Sequence, residues 1–305
     1  AGRAVRGSRK RVRAVTGGRV EIYKSETFGI VGEAGCGKWT LGRCMVGLLR
    51  PTSGHVLLDD QPLDLSRRGR MAMATRIQMI FQDSHAAFDP RMTVGKTLME
   101  PLLVHGQGTA EERRARALAL MADVGLGEEL FDRYPHAFSG GQRQRVGIAR
   151  ALALSPQVVV CDEPVSALDM SVQATVLNLL MELQDKYALT YVFISHNLSA
   201  VRHICDRVAV MYLGKVVELA GRQTLFFNPA HPYTQALLAA IPAANPEAPA
   251  LSGTLEGEVP SPLNPPQGCV FHTRCPHCMP RCMAEAPPLR QIAPGHIAAC
   301  HLHGN

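Results

Sequence analysis

The chain has 305 residues, 46% hydrophobic and 5% aromatic, enough to bury a full core and in keeping with one large α/β domain plus an extension. No apolar run approaches the roughly 18–20 residues of a membrane-spanning helix, and no secretory signal is visible. The net charge of +6 is modest, and much of it sits in Arg3, Arg6, Arg9, Lys10, Arg11 and Arg13; that run reads as a solvated tail, or as a contact for acidic lipid or nucleotide.

Thr27–Val31 is a short apolar strand running into a glycine turn and then a helix. Val56–Leu58 and Ile77–Phe81 are further strand candidates. Thr93–Leu103 and Ala110–Val124 have helical spacing, with Glu111, Glu112, Arg113 and Arg114 on a solvated face. Phe138–Arg145 is a serine–glycine turn opening a basic helix. Val158–Cys161 is wholly apolar, as strands of a parallel sheet are when both faces are covered. Ser171–Leu183 reads as a helix, Thr190–Ile194 as a strand and Leu198–Ile204 as a helix. Val208–Met211 and Val216–Leu219 are late strands, and Tyr233–Ile241 is a last amphipathic helix. From Pro242 the chain turns rich in Pro and Ala, then in Cys and His, which marks a boundary. There is no internal repeat.

Gly32-Glu33-Ala34-Gly35-Cys36-Gly37-Lys38 lies between a strand and a helix. Glycines let successive N–H groups turn inward around phosphate oxygens, and the helix start adds the positive end of its dipole. Lys38 would neutralise the β- and γ-phosphates. A hydroxyl should follow the lysine to bind Mg²⁺, but Trp39 stands there, then Thr40. Either Thr40 compensates, or the site holds Mg-nucleotide poorly. At the end of the apolar strand, Asp162 would hold Mg²⁺ through water and Glu163 would polarise the attacking water. Gln82, ending its own strand, suits a sensor of metal and γ-phosphate. His196, after Tyr191–Ile194, suits a hydrogen bond to the γ-phosphate.

In this order the elements resemble the ATP-binding-cassette ATPases. The resemblance implies a P-loop α/β core with an inserted helical subdomain and a C-terminal Cys-rich extension. Its implied divisions are 1–82 (first half of the nucleotide-binding core), 83–150 (helical subdomain), 151–241 (second half of the core) and 242–305 (extension). It further implies that Gly32, Gly35, Cys36, Gly37, Lys38 and Thr40 form the Walker A loop, and Gln82 the Q-loop. Ser139, Gly140, Gly141 and Gln142 would be the signature, Val158–Glu163 the Walker B strand, Ser166–Asp169 the D-loop with Asp169 at the nucleotide, and His196 the switch. Two such subunits sandwich two ATP molecules head to tail. Ser139 and the N–H groups of Gly140 and Gly141 would make a second anion site, and lacking carboxylates of its own it must complete another subunit's.

Arg133–Arg145, Asn228–Leu238 and the Cys-rich tail narrow the resemblance to dipeptide and oligopeptide importer ATPases; nickel and glutathione importers share these motifs. That implies ATP and Mg²⁺ as cofactors and a heterodimer with a second ATPase. It implies two membrane permease subunits, a periplasmic or lipid-anchored peptide-binding protein reached through them, and the cytoplasmic face of a bacterial inner membrane. Nucleic acid is not an implied partner, since coiled-coil or DNA-binding insertions are not seen. In the family the surface around Asp83–Leu103 receives a short permease helix, so Ala86, Ala87, Phe88, Met92 and Leu98 read either as that groove or as core. The sequence departs from the family pattern at Trp39, at Asn197 where an aspartate is usual, and at the N-terminus, where a first strand and an adenine-stacking aromatic are not evident. These departures lead to the expectation of an asymmetric pair in which this chain completes its partner's site while its own is degenerate. A silent scaffold is the rival; intact Asp162, Glu163 and His196 argue against it.

Of nine cysteines, Cys36, Cys44, Cys161 and Cys205 read as reduced core residues. Cys269, Cys275, Cys282 and Cys300 stand as C-x5-C-x6-C-x17-C among Pro276, Pro280, Pro287 and Pro288, which suits a soft-metal centre, with zinc and iron–sulfur both open. The peptide-importer resemblance implies a 4Fe-4S cluster on these four, with Cys278 spare and His277, His296, His301 and His303 as alternative ligands.

Overall fold

The computed structural model describes residues 14–17, 20–82, 88–241 and 257–304. The basic run at 3–13, Ala86, Ala87 and the boundary expected at Pro242 lie outside them. In chain order the elements are β1 (Thr27–Val31), α1 (Lys38–Met45), β2 (Leu57–Leu58), β3 (Gln61–Pro62), α2 (Arg67–Ala74), β4 (Ile77–Ile80), α3 (Val94–Val104), α4 (Ala110–Asp123), α5 (Gly140–Ala151), β5 (Val158–Asp162) and α6 (Met170–Tyr187). They continue with β6 (Thr190–Ile194), α7 (Leu198–Ile204), β7 (Arg207–Tyr212), β8 (Lys215–Gly221), α8 (Arg222–Phe227), α9 (Pro232–Ala239), α10 (Pro280–Ala284), β9 (Arg290–Ala293) and β10 (His296–Ala298). No helix among the described residues is long and apolar enough to cross a membrane. The chain divides into two compact units. The larger comprises Val20–Val31 and Trp39–Ala209; the smaller holds, among the described residues, 14–17, Gly32–Lys38 and those from Val210 onward.

In the larger unit β4, β5, β6 and β1 lie side by side and parallel, with Ile77 opposite Val158, Val158 opposite Thr190 and Thr27 opposite Tyr191. Parallel neighbours need crossover connections, and helices supply them. Both sheet faces are covered, so Val159, Val160, Cys161, Tyr191, Val192, Phe193 and Ile194 are each at most 1% exposed. This is why the strand sequences are unbroken apolar runs rather than alternating ones. Helix α1 packs so closely that a Cβ on Gly42 would meet Ile194 Cδ1 at 2.6 Å.

Between β4 and β5 the chain is helical. Thr93 caps α3, and Thr109 with Glu112 and Ser139 with Gln142 form reciprocal capping boxes on α4 and α5. Val94, Leu98 and Leu102 on α3 are buried, as are Ala117, Leu120 and Met121 on α4 and Val146 and Ile148 on α5, the spacing of apolar helix faces. Leu98 therefore belongs to the core and not to an open groove. Phe88, though buried, lines one. The expected strand at Val56–Leu58 shortens to Leu57–Leu58, paired with Gln61–Pro62.

In the smaller unit β10 joins β8 and β9 on its two edges, antiparallel to both. Tyr212, Tyr233 and Phe271 form its aromatic centre, each at most 1% exposed, with ring centroids 4.7–5.4 Å apart. Glu218 of β8 is fully buried. Its carboxylate accepts the amides of Ala230 at 2.7 Å and His231 at 2.9 Å, and meets His296 Nε2 of β10 at 2.7 Å. The Asn228–Leu238 motif is thus explained as architecture: its amides clasp Glu218, His231 Nδ1 caps α9 by accepting the Tyr233 amide, and Tyr233 fills the core. Burial lowers the His231 pKa to about 4, which keeps the ring neutral and its Nδ1 free to accept.

Candidate functional site

The loop after β1 is shaped by glycine where no other residue fits. Gly32 has φ 152° and Gly37 φ 105°; a Cβ would strike the Met211 carbonyl oxygen at the first and the Ala14 carbonyl oxygen at the second. Lys38 is buried, and its Nζ donates to the carbonyls of Gly32 at 2.6 Å and Glu33 at 3.0 Å. The ammonium is therefore held by the loop's own oxygens. Cys36 is buried and its thiol is pushed up by that burial. Thr40 is half-buried in the first turn of α1. Trp39 is 48% exposed and lies under the Arg43 guanidinium, 3.5 Å from the ring centre, an i,i+4 cation–π pair.

In the larger unit β5 ends at buried Asp162, opposite Ile194 of β6. Glu163 then turns into the left-handed region with φ 48°, a strained conformation for a side chain of this size, and its amide donates to the Ile194 carbonyl at 2.9 Å. The turn sets the carboxylate between two expected partners: Gln82 Nε2 donates to Oε2 at 3.0 Å, and His196 Nδ1 meets Oε1 at 3.0 Å. Gln82, Glu163 and His196 are thus brought together at the carboxyl ends of parallel strands, where α/β folds bind ligands. His196 was expected at a phosphate; here its Nδ1 faces the Glu163 carboxylate. A carboxylate held on both oxygens is oriented to take a proton from water.

Asn197 has a local task that sequence reading missed. Its Oδ1 accepts the amides of Ser199 and Ala200 at 3.0 and 3.2 Å as the cap of α7, and its Nδ2 donates to Gln173 Oε1 at 3.2 Å. Asn and Asp cap equally well, so this substitution leaves the helix start intact. Asp169 is exposed at the start of α6 and makes no side-chain cap bond. Ser139 Oγ accepts the Gln142 amide at 3.3 Å while Gln142 Oε1 accepts the Ser139 amide at 3.0 Å. This fixes the start of α5, where the first-turn amides of Gly140 and Gly141 have no helical acceptor.

These features define a P-loop nucleotide hydrolase of the ATP-binding-cassette kind. Residues 15–166 match the ABC transporter family, and residues 217–282 match the oligopeptide/dipeptide transporter C-terminal region. The chain belongs to the ABC transporter ATPases, as the ATP-hydrolysing subunit of a peptide importer. It is 51% identical over 296 residues to the oligopeptide transport ATP-binding protein AppF of Bacillus subtilis (strain 168), covering 96% of this chain and 90% of that one. Among solved structures it is similar to cbiO1 of Clostridium perfringens, part of the cbiONQ transporter complex, with TM-score 0.65 and 32% identity over 70% of this chain and 84% of that one. It is also similar to the dimeric ATP-binding cassette MJ0796 bound to ADP and phosphate, with TM-score 0.62 and 30% identity over 68% of this chain and 90% of that one. ATP and Mg²⁺ fit such a protein, and membrane permease partners are implied.

The four cysteines of the expected metal centre all lie in the smaller unit. Cys269, Cys275, Cys282 and Cys300 share a neighbourhood: the Cys269 amide donates to the Cys282 carbonyl at 2.8 Å. Burial first, and then neighbouring sulfurs, raise the thiols of Cys269, Cys275 and Cys300, with Cys275 pushed up to about 11. Yet no three His, Cys, Asp or Glu side chains among the described residues are gathered to hold a metal ion. His296, an alternative ligand in the sequence reading, is committed to Glu218, and His303 Nε2 lies 2.9 Å from the Ala230 carbonyl.

Proposed function

We propose that this chain powers peptide import as one half of an unequal ATPase pair, lending its Ser139–Gln142 segment to a second ATPase while its own site is impaired. The observation that carries the reading is Trp39. It stands where a Mg²⁺-binding hydroxyl belongs, half exposed and covered by Arg43, whereas the α5 start keeps its cap and free amides. An indole offers no oxygen ligand. In this reading Lys38 neutralises phosphate charge, Asp162 holds Mg²⁺ through water, and Glu163, oriented by Gln82 and His196, polarises water. The test is Trp39→Ser in the assembled transporter. A gain of about twofold in ATPase rate is expected as a second site begins to turn over; an unchanged rate removes the proposal.

The permease contact is proposed for a groove of about 320 Å³ whose walls include Phe81, Phe88, Pro101, Val104, Gln144 and Gly147. Val104 is 59% exposed, and buried Gln144 Nε2 has no hydrogen-bond partner among the described residues. Both support docking of a short helix with an apolar face and a free carbonyl. Attachment to the cytoplasmic face of a bacterial inner membrane follows from this reading, as does a peptide-binding protein reached through the permease.

A 4Fe-4S cluster on Cys269, Cys275, Cys282 and Cys300, with zinc as the rival, is also proposed. Their spacing and shared neighbourhood support it. Anaerobically purified protein is expected to be brown and to carry iron and sulfide; colourless protein with stoichiometric zinc overturns it.

A further inference from the structure

Glu33, the second residue of the phosphate loop, has every polar group engaged. Its amide donates to Tyr233 Oη at 2.9 Å, and its carbonyl accepts from Lys38 Nζ at 3.0 Å. Its carboxylate receives the Arg274 guanidinium twice, Nη1 to Oε2 at 2.8 Å and Nη2 to Oε1 at 3.2 Å. Arg274 belongs to the C-terminal extension. Its side chain is only 4% exposed, while that of Glu33 is 26% exposed. The guanidinium also donates to Tyr212 Oη at 3.5 Å and stands 5.9 Å from that ring's centre. Tyr212 and Tyr233 pack on Phe271, so one aromatic layer carries both grips on Glu33.

A buried guanidinium must be matched in charge, and a two-pronged bond to a carboxylate fixes orientation as well as distance. The carbonyl of the gripped residue is one of the two that hold Lys38. When Lys38 turns to an incoming phosphate, a loop clamped at Glu33 keeps its amides in place; an unclamped loop must be ordered at the expense of affinity. We propose that Arg274 is a positioning residue for nucleotide binding, through which the C-terminal extension holds the phosphate loop in its anion-receiving shape. The proposal rests on reading Gly32–Lys38 as the ATP-phosphate loop.

The experiment compares hydrogen–deuterium exchange in the nucleotide-free full chain for Arg274→Met, Glu33→Gln and the double variant, with binding of a fluorescent ATP analogue and Mg²⁺ as a second readout. Each single variant is expected to speed amide exchange across residues 33–38 about tenfold and leave β8 and β10 unchanged. The double is expected to be no worse than either single, and Arg274→Lys to restore part of the protection. Nucleotide affinity should weaken about tenfold in parallel. Unchanged loop exchange overturns the proposal, as does faster exchange throughout the smaller unit, which would make Arg274 a general stabiliser. Parent protein that binds no nucleotide counts against the ATP-site reading alone, because the exchange comparison is made without nucleotide.

Discussion

Gly141→Asp in this chain is expected to cut ATP hydrolysis by the assembled transporter at least 100-fold, while Glu163→Gln in the same chain lowers it no more than about twofold. The contrast follows from which site each residue serves. The first turn of α5 presents the Gly140 and Gly141 amides beyond a serine cap, and such a helix start attracts the charge that develops on a transferring phosphoryl group. Losing one such preorganised donor costs about 100–1,000-fold in other enzymes. An aspartate at 141 puts a fixed anion in the same place, and its Cβ would also press on Val172 Cγ1 at 2.7 Å. In the proposed unequal pair Glu163 instead serves the site behind Trp39, which would contribute little turnover. Steady-state ATPase rates of the complex carrying each variant decide the matter. Large and equal losses would mean that both sites hydrolyse ATP, and the asymmetry would be abandoned.

Glu218→Ala is expected to destabilise the smaller unit by about 3–5 kcal/mol, the range found when one member of a buried charged network is removed. The carboxylate is fully buried and satisfies the Ala230 and His231 amides as well as the ring of His296. Truncation strands these groups in an apolar interior, where each unmade hydrogen bond costs about 1–3 kcal/mol. Glu218→Gln keeps an acceptor and should cost less than half as much. Urea unfolding followed through Tyr212 and Tyr233 gives the comparison; equal small losses would mean that water replaces the carboxylate. His296 ties β10 to β8 through Glu218, so the alanine variant should also expose Cys300 to thiol reagents.

The parallel strands and the carboxylate site were legible because each is written locally. Val158–Cys161 has the unbroken apolar run of a strand covered on both faces, and Asp162-Glu163 at its end reads as a ligand site. The positions of Gln82 and His196 at the ends of neighbouring strands then bring them to Glu163 through parallel register alone. The start of α5 was legible too, because Phe138–Arg145 reads as a serine–glycine turn opening a basic helix.

What sequence reading missed depends on distance along the chain. The Arg274–Glu33 pair joins residues 241 positions apart, and neither belongs to a pattern that announces the other. β10 is three residues long, too short for periodicity, and exists because β8 offers it an edge. The Asn228–Leu238 motif was visible, but its purpose was not until Glu218 appeared beneath it. Asn197 looked like a functional departure because its capping duty depends on α7 beginning just after it. The cysteine spacing suggested a formed metal centre, whereas the structure shows four thiols near one another without converged ligation.

The support of the phosphate loop has a consequence for how the protein is made. The loop leaves the ribosome before Tyr233 and Arg274, which grip Glu33 from 200 and 241 positions further along. At translation rates of about 5–20 residues per second, the 241 positions between Glu33 and Arg274 correspond to a wait of roughly 10–50 s. A nascent or truncated chain therefore carries the nucleotide-binding motif without the clasp that shapes it. If the clasp shapes the loop as proposed, fragments ending before Arg274 are expected to compete poorly for nucleotide during biogenesis.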